Sequence, residues 1–491
     1  MRFFMNKRIL SFFAALSEKE ITYCHFKSNN NLKPALEGID DLDLLVKWAN
    51  IDDFMGTVQE FGFRPAFDRH SVPTPFVYHF FGFDDEEGLL IHLHVYFRIV
   101  TGGSILKNHW IQVEDMLLDE SRPEGVGGVF IPSAEADLIL FVIRKFIEQT
   151  SIVEHFLFLR DWDNIRAELN WLNERASRSS IRALLAKWIP GFSSDLFEAG
   201  LDLLIRKGTV VQRVCLGRKM NRFFQNKVYS SLKASLIRSA MFFHAYSRGK
   251  LGFTRQNRSL FPGGMLIAFT GSEASGKSTL SKETAHWLHS RFDVTRIHLG
   301  KPPKNWRTRP FWAGIRLFSL AKRFVRFFYT FSRDGKAKHD RVSNNLPHPV
   351  VCWLDSIDRV HSVREMVKRM MEGSLVMTDR YPSEELGGLD GARILPNSYV
   401  TRWLSLRELE NYSCFPTPDI VFCMIAPLEL TLHRNSLRES PEPEEFVRQR
   451  FELARKINFK RSRMVEIDTT VPLEDSVLSI RRAIWRVFSS E

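Results

Sequence analysis

The sequence predicts an α/β protein: a parallel sheet flanked by helices in the C-terminal half, preceded by an α+β region and a mainly helical one. Three observations predict it. The apolar strand Met265–Thr270 and further strand candidates at Val294–Leu299, Leu375–Thr378, Ile420–Ile425 and Met464–Ile467 alternate with helical patterns, which is how a parallel sheet with helical crossovers reads. Runs at Tyr23–Lys27, Leu42–Val46, Phe76–Phe81 and Leu89–Phe97 do the same near the start. Between them, residues 130 to 250 carry apolar side chains at helical spacing, most clearly from Ala134 to Ile147.

These patterns divide the chain into regions 1–115, 116–260 and 261–491, with loops at Ser247–Lys250 and Phe261–Gly264. A 44% hydrophobic content and 41 Phe in 491 residues suffice for several cores. No run of eighteen apolar residues occurs, which excludes a simple membrane-spanning helix. The first residues, Met1 to Leu16, read as an amphipathic helix rather than a leader, because Ser17-Glu18-Lys19-Glu20 breaks the apolar run. The five cysteines are scattered and fit reduced thiols, hence a cytoplasmic location.

The net charge of +12 is uneven: no acidic residue lies between Asp202 and Glu273, against thirteen Lys and Arg. Such density suits phosphorylated ligands, nucleic acid or an anionic membrane, or a solvated linker. Nucleic acid is not expected as a partner, and the sequence leaves the oligomeric state open. A second basic stretch, 304–333, is rich in Trp and Phe and repeats Arg309, Arg316 and Arg323 every seven residues. A helix of this kind can lie on a membrane, hold a bulky acceptor or pack on another domain.

The chemistry begins at Gly271-Ser272-Glu273-Ala274-Ser275-Gly276-Lys277-Ser278-Thr279. A strand leads in, a helix from Thr279 to Leu288 leads out, and the spacing is that of the P-loop. Backbone N–H groups and the helix N-terminus would cradle the phosphates of ATP. Lys277 would reach the β- and γ-phosphates, and Ser278 would hold Mg²⁺. The expected fold of this region is therefore a P-loop NTPase sheet.

Two further segments, Leu354-Asp-Ser-Ile-Asp358-Arg359 and Met377-Thr-Asp379-Arg380-Tyr381, with Glu273 in the loop and Arg434 and Arg438 later, resemble thymidylate kinases. The resemblance covers about 265 to 475. It implies that Arg359, Arg380 and Tyr381 bind the acceptor, that Asp379 places Mg²⁺ or the acceptor, and that Arg434 and Arg438 close over the transferring phosphate. Planar guanidinium suits each phosphate bidentately. After Tyr381 the chain departs from the family, reading Pro382-Ser-Glu-Glu-Leu-Gly-Gly-Leu-Asp390-Gly-Ala-Arg393 where base-contacting residues are expected. The expected acceptor is therefore a nucleoside monophosphate or a sugar or sugar phosphate. The alternative is a non-catalytic nucleotide-binding switch or scaffold.

Near the start, Lys27-Ser28 followed by Asp41-Leu42-Asp43 resembles nucleotidyltransferases of the polymerase-beta type. Strand alternation sends Asp41 and Asp43 to one face, where they could share Mg²⁺. The chain departs from that pattern too. Lys27-Ser28 stands for Gly-Ser, and the later strand offers His92 and His94 instead of a third carboxylate. Thr101-Gly102-Gly103 with Lys107-Asn108 is a further phosphate-contacting candidate.

Overall fold

The elements were located in a computed structural model. It describes residues 5–68, 73–103, 106–124, 128–148, 155, 158–224, 226–230, 232–237, 239–240, 258–261, 263–300, 302–317, 320, 348–383, 385, 387–459 and 461–489. The chain divides into two compact units, Met1–Phe261 and Pro262–Glu491.

In the first unit, helix α1 (Lys7–Glu18) starts where the Asn6 side chain accepts from the amides of Arg8 and Ile9, a side-chain cap. Ile9, Phe12, Phe13 and Leu16 form its buried face, the 3, 4 spacing expected of an amphipathic helix. Strand β1 (Tyr23–His25), helix α2 (Leu32–Leu36), β2 (Leu42–Val46), α3 (Ile51–Glu60), β3 (Arg64–Asp68), β4 (Val77–Asp84) and β5 (Leu89–Tyr96) follow. Two ribbons come next, β6 (Val100–Gly102) with β7 (Lys107–Trp110), and β8 (Ser121–Glu124) with β9 (Val129–Pro132), separated by α4 (Glu114–Asp119).

A six-stranded sheet is ordered β1-β2-β5-β4-β3-β10, where β10 (Arg258–Leu260) comes from the end of the basic stretch. Only β2 and β5 pair in parallel, setting Asp43 opposite His94; β4 then sets His79 against the same His94. The histidine strand β5 lies inside the sheet, not at an edge, so its histidines are packed from both sides. Strands β3 and β10, like the ribbon strands β6 to β9, are not among those the sequence predicts: β3 breaks its apolar pattern with Arg64, Pro65 and Asp68, and the others are three or four residues long.

Helices α5 (Ala134–Glu148), α6 (Trp162–Arg175), α7 (Arg178–Trp188), α8 (Ser194–Ile205) and α9 (Val210–Phe223) follow in this unit. Ten of the fifteen α5 residues are buried. A helix apolar on nearly all sides belongs at a core centre, and α6, α7, α8 and α9 supply its neighbours in one cluster. Thr209 and Gln212 cap α9 reciprocally.

The second unit is one parallel sheet. Its strands are β11 (Leu266–Gly271), β12 (Val294–His298), β13 (Leu375–Asp379), β14 (Ile420–Ile425) and β15 (Arg463–Asp468), ordered β12-β13-β11-β14-β15. Every residue of β11 is buried, as a strand covered on both faces requires. Helices α10 (Lys277–His289), α11 (His348–Met371), α12 (Tyr399–Ser413), α13 (Leu428–Ser436), α14 (Glu444–Arg455) and α15 (Leu473–Ser489) surround it. Helices α10 and α15 pack together and on the sheet, α11 lies on β12 and β13, and α14 reaches β11. The chain leaves β11 toward β12 on one side and later crosses to β14 on the other. Such a reversal opens a crevice at the carboxyl ends of the strands.

Of the basic stretch 304–333, residues 304–317 and 320 are described; Arg323 and the loop at 247–250 lie outside the described residues. Residues 309–317 are helical, with Trp306 and Phe311 exposed. Asp358 anchors this segment: it accepts from Asn305 N at 2.9 Å, Thr308 Oγ1 at 2.5 Å and Trp312 Nε1 at 2.9 Å. Among the described residues, no helix is long and apolar enough to cross a membrane.

Candidate functional site

The loop from β11 to α10 opens a cavity of about 850 Å³ at the crevice where the strand order reverses. Gly271 has φ +143°, and a Cβ there would stand 2.9 Å from the Met424 carbonyl and from Ser275 Oγ. Only glycine makes that turn. Gly276 and Ala274 are also left-handed, at φ +92° and +57°. Ser275 Oγ donates to Ser272 O at 2.9 Å, closing the loop on itself. Lys277 opens α10, and its ammonium donates to the carbonyls of Gly271, at 3.1 Å, and Ser272. Burial pulls it down to about 8, helped by Arg380 and Arg450 and opposed by Glu273. Ser278 and Thr279 line the same cavity.

The opposite wall is built on two buried carboxylates. Glu273 meets Arg380 Nη2 at 2.9 Å, Arg450 Nε at 3.0 Å and Arg438 Nη1 at 3.6 Å. Burial would raise its carboxyl, but Lys277, Arg380 and Arg450 hold it below the ordinary range. Asp390 takes Arg450 Nη2 on both oxygens at 3.0 Å, with Arg380 and Arg393 at 3.7 and 3.9 Å. Arg450 thus bridges the two acids. Arg380 and Asp390, like Ala274, are non-glycine residues at positive φ, +57° and +58°. Such conformations cost about 1–3 kcal/mol each and gather where a surrounding structure enforces them. A Cβ at Gly300 would come within 2.3 Å of Arg380 Cδ, so glycine there lets the arginine lie across the strand end.

Asp379 ends β13 and accepts from His298 Nδ1 at 2.5 Å. Burial works against its ionisation, yet the imidazole and Arg296 keep its carboxyl low. Arg434 donates to Thr469 Oγ1 at 3.1 Å and Thr469 O at 2.7 Å and faces the same cavity.

The structure therefore brings Glu273 through Thr279, Asp379, Arg380, Arg434 and Arg438 into one cavity, with Gly271 and Ser272 shaping the loop beneath. It does not bring Arg359 or Tyr381 there. Arg359 is buried, and its Nη1 donates to Asp390 O at 2.5 Å and Tyr412 Oη at 2.6 Å. Tyr381 is buried with its hydroxyl on Pro416 O. These two support the floor of the site instead of facing it. The sequence reading gave no role to Arg450, Asp390, Arg393 or His298. A signal existed for Arg450: it lies on the inner face of α14 one turn from Val447, where an arginine needs a buried partner.

Oxygen donors for Mg²⁺ exist on this cavity. The Ser278 hydroxyl and the ionised Asp379 carboxylate are hard ligands, and Mg²⁺ needs only one or two such groups beside phosphate oxygens and water.

The first unit holds a second polar cluster. Lys27 Nζ lies 3.2 Å from Asp43 Oδ1, and His94 Nδ1 lies 2.8 Å from the same oxygen. His92 Nδ1 lies 2.9 Å from Asp41 Oδ1. Burial pulls Lys27 down to about 7 against the pull of Asp43, and lowers His94 to about 4. Asp43, despite burial, is held well below the ordinary range by Lys27 and His94. Among the described residues, no three histidine, cysteine or carboxylate groups converge as a metal site. This donor set, with imidazoles and an ammonium on the two carboxylates, does not fit Mg²⁺. Of the third candidate, Thr101 donates to Glu148 Oε1 at 3.0 Å, and Asn108 bonds the backbone of Tyr229.

No family model matches this chain. It is 23% identical over 233 residues to YghS of Escherichia coli (strain K12), covering 46% of this chain and 94% of that protein. It is 22% identical over 233 residues to YghR of the same strain, covering 45% of this chain and 86% of that protein. Both relatives are described as uncharacterized ATP-binding proteins.

Proposed function

We propose that the unit Pro262–Glu491 binds ATP at the Gly271–Ser278 loop and transfers its γ-phosphoryl group to a second substrate, in the manner its resemblance to thymidylate kinases implies. One observation carries this reading: a single cavity joins a phosphate-cradling loop to Arg380, Arg393, Arg434, Arg438 and Arg450. Phosphoryl transfer asks little covalent chemistry of a protein; it asks for positioning and positive charge around the moving group. The ATP-binding relatives support the ATP-binding part of this reading, and their matched length of 233 residues is close to that of this unit.

In this reading the loop amides and the α10 N-terminus take the phosphates. Lys277 exchanges the Gly271 and Ser272 carbonyls for phosphate oxygens. Bound Mg²⁺, held through Ser278 and Asp379, supplies further neutralisation of the phosphate charge. Arg434 and Arg438 lie over the transferring group, while Arg380, Arg393 and Arg450 face the acceptor. Arg359 and Tyr381 hold Asp390 and the strand end in place. An acceptor bearing a phosphate, a nucleoside monophosphate or a sugar phosphate, suits this density of guanidinium better than a neutral one. A cytoplasmic location, where ATP is supplied, goes with this reading. For Met1–Phe261 the proposed resemblance to nucleotidyltransferases is one of fold.

The test is ADP release by the full chain with and without a pool of nucleoside monophosphates and sugar phosphates. The expected result is acceptor-dependent release, falling about 100-fold or more in Lys277→Ala. Tight ATP binding with no acceptor-dependent release would favour a nucleotide-binding switch instead.

A further inference from the structure

The parallel pairing of β2 with β5 sets two carboxylates beside two imidazoles. Asp43 stands opposite His94, and Asp41, two residues earlier, shares its face. A hard divalent ion such as Mg²⁺ between such carboxylates needs their facing lone pairs and further hard oxygen donors. Here the facing oxygens are already engaged. Asp43 Oδ1 meets Lys27 Nζ at 3.2 Å and His94 Nδ1 at 2.8 Å, and Asp41 Oδ1 meets His92 Nδ1 at 2.9 Å. His79 closes the row, 3.1 Å from His92 Nε2 and stacked on His94 at 4.4 Å.

Lys27 is fixed in this position. Its ammonium lies 3.8 Å from the Tyr96 ring centre and 4.8 Å from that of Phe26, and it donates to the Tyr96 hydroxyl. Two aromatic faces and an anion hold a cation well. A divalent ion at Asp43 would have to displace this ammonium or sit against it. The neighbouring residue is also engaged. Ser28 has φ +53°, and its amide donates to Glu168 Oε1 at 3.1 Å, so a carboxylate of the chain takes a donor that a phosphate would want.

We propose that Lys27 is a built-in counter-ion that takes the place of a hard divalent cation at Asp41 and Asp43, making this carboxylate pair a structural ion network that needs no Mg²⁺. The inference rests on the geometry of the first unit alone and stands apart from the phosphotransferase reading of the second.

The experiment counts Mn²⁺ bound to the nucleotide-free full chain by electron paramagnetic resonance at pH 6, below the value of about 7 at which the Lys27 ammonium loses its charge. Wild type and Asp43→Asn should bind the same number of ions. Lys27→Ala should bind about one more, as a carboxylate pair freed of its ammonium allows, and Lys27→Ala with Asp43→Asn should lose it again. Removing Lys27 leaves a carboxylate undercompensated, so Lys27→Gln, which keeps length and polarity, is the second variant. Independently, the wild-type melting transition that ATP does not shift should be the same in EDTA as in Mg²⁺. A bound ion lost from wild type on Asp43→Asn would overturn the proposal. So would a chelator dependence of the transition that ATP does not shift, or a folded Lys27 variant that gains no ion.

Discussion

Replacing Glu273 by Gln should destabilise the second unit by about 3 kcal/mol. The carboxylate is almost fully buried and lies 2.9 Å from Arg380 and 3.0 Å from Arg450. Each such pair represents a gross attraction of about 4 kcal/mol at the effective dielectric of a protein site, and the cost of desolvating the carboxylate offsets several kcal/mol of the sum. Glutamine keeps an accepting oxygen, so neutral hydrogen bonds replace charge-assisted ones at a loss of about 1–1.5 kcal/mol each. It also leaves Asp390 as the remaining acid shared by Arg380 and Arg450. Arg438, half-exposed at 3.6 Å, is screened and adds under about 1 kcal/mol. Urea unfolding of the full chain, read at the transition that ATP shifts, measures the change. Inorganic phosphate should restore part of the loss, because the freed guanidiniums then have an anion. A loss below about 1 kcal/mol would refute the view that Glu273 organises this wall.

Three other outcomes are expected. Lys277 is held at about 8 mainly by burial, so its charged fraction falls as pH rises through 8, and metal-free ATP affinity should weaken between pH 7 and 9 in wild type but not in Lys277→Ala; calorimetry at stepped pH decides this. Gly271→Ala places a Cβ 2.9 Å from the Met424 carbonyl at φ +143°, and should lower stability by about 1–3 kcal/mol and abolish ATP binding. Asp137 is raised by burial from 3.8 to about 7. The folded chain therefore binds more protons than the unfolded one in that window, and stability should fall as pH rises from about 4 to 7. Denaturant titrations of Asp137→Asn should lack that slope.

The loop at Gly271–Ser278 was legible because its residues are consecutive and its strand and helix flank it. The inner strands β11, β13 and β14 were legible for a related reason: strands covered on both faces are nearly continuously apolar, whereas the more polar edge strands β12 and β15 were legible from their place between helical patterns. Of the second wall, Glu273 and Arg380 were legible through the resemblance, whereas Asp390, Arg393 and Arg450 come from other stretches of chain, and only the fold makes them neighbours. Arg359 shows the converse limit. Its place in a recognisable pair said nothing about direction, and its guanidinium turns inward to Asp390 and Tyr412. Asp41 and Asp43 were legible as a pair on one face, whereas the ammonium and imidazoles that engage them are set by strand register. Strand β3 interrupts its pattern with Arg64, Pro65 and Asp68, and β10 has only three residues, so neither reads as a strand in the sequence.

The most direct test of the central claim follows the label of γ-³²P ATP in the presence of the full chain and a mixed acceptor pool. The account predicts label in a phosphorylated small-molecule product, in amount equal to the ADP formed, and none with Lys277→Ala. Label recovered only as ATP and inorganic phosphate, with ATP bound at the loop, would contradict it.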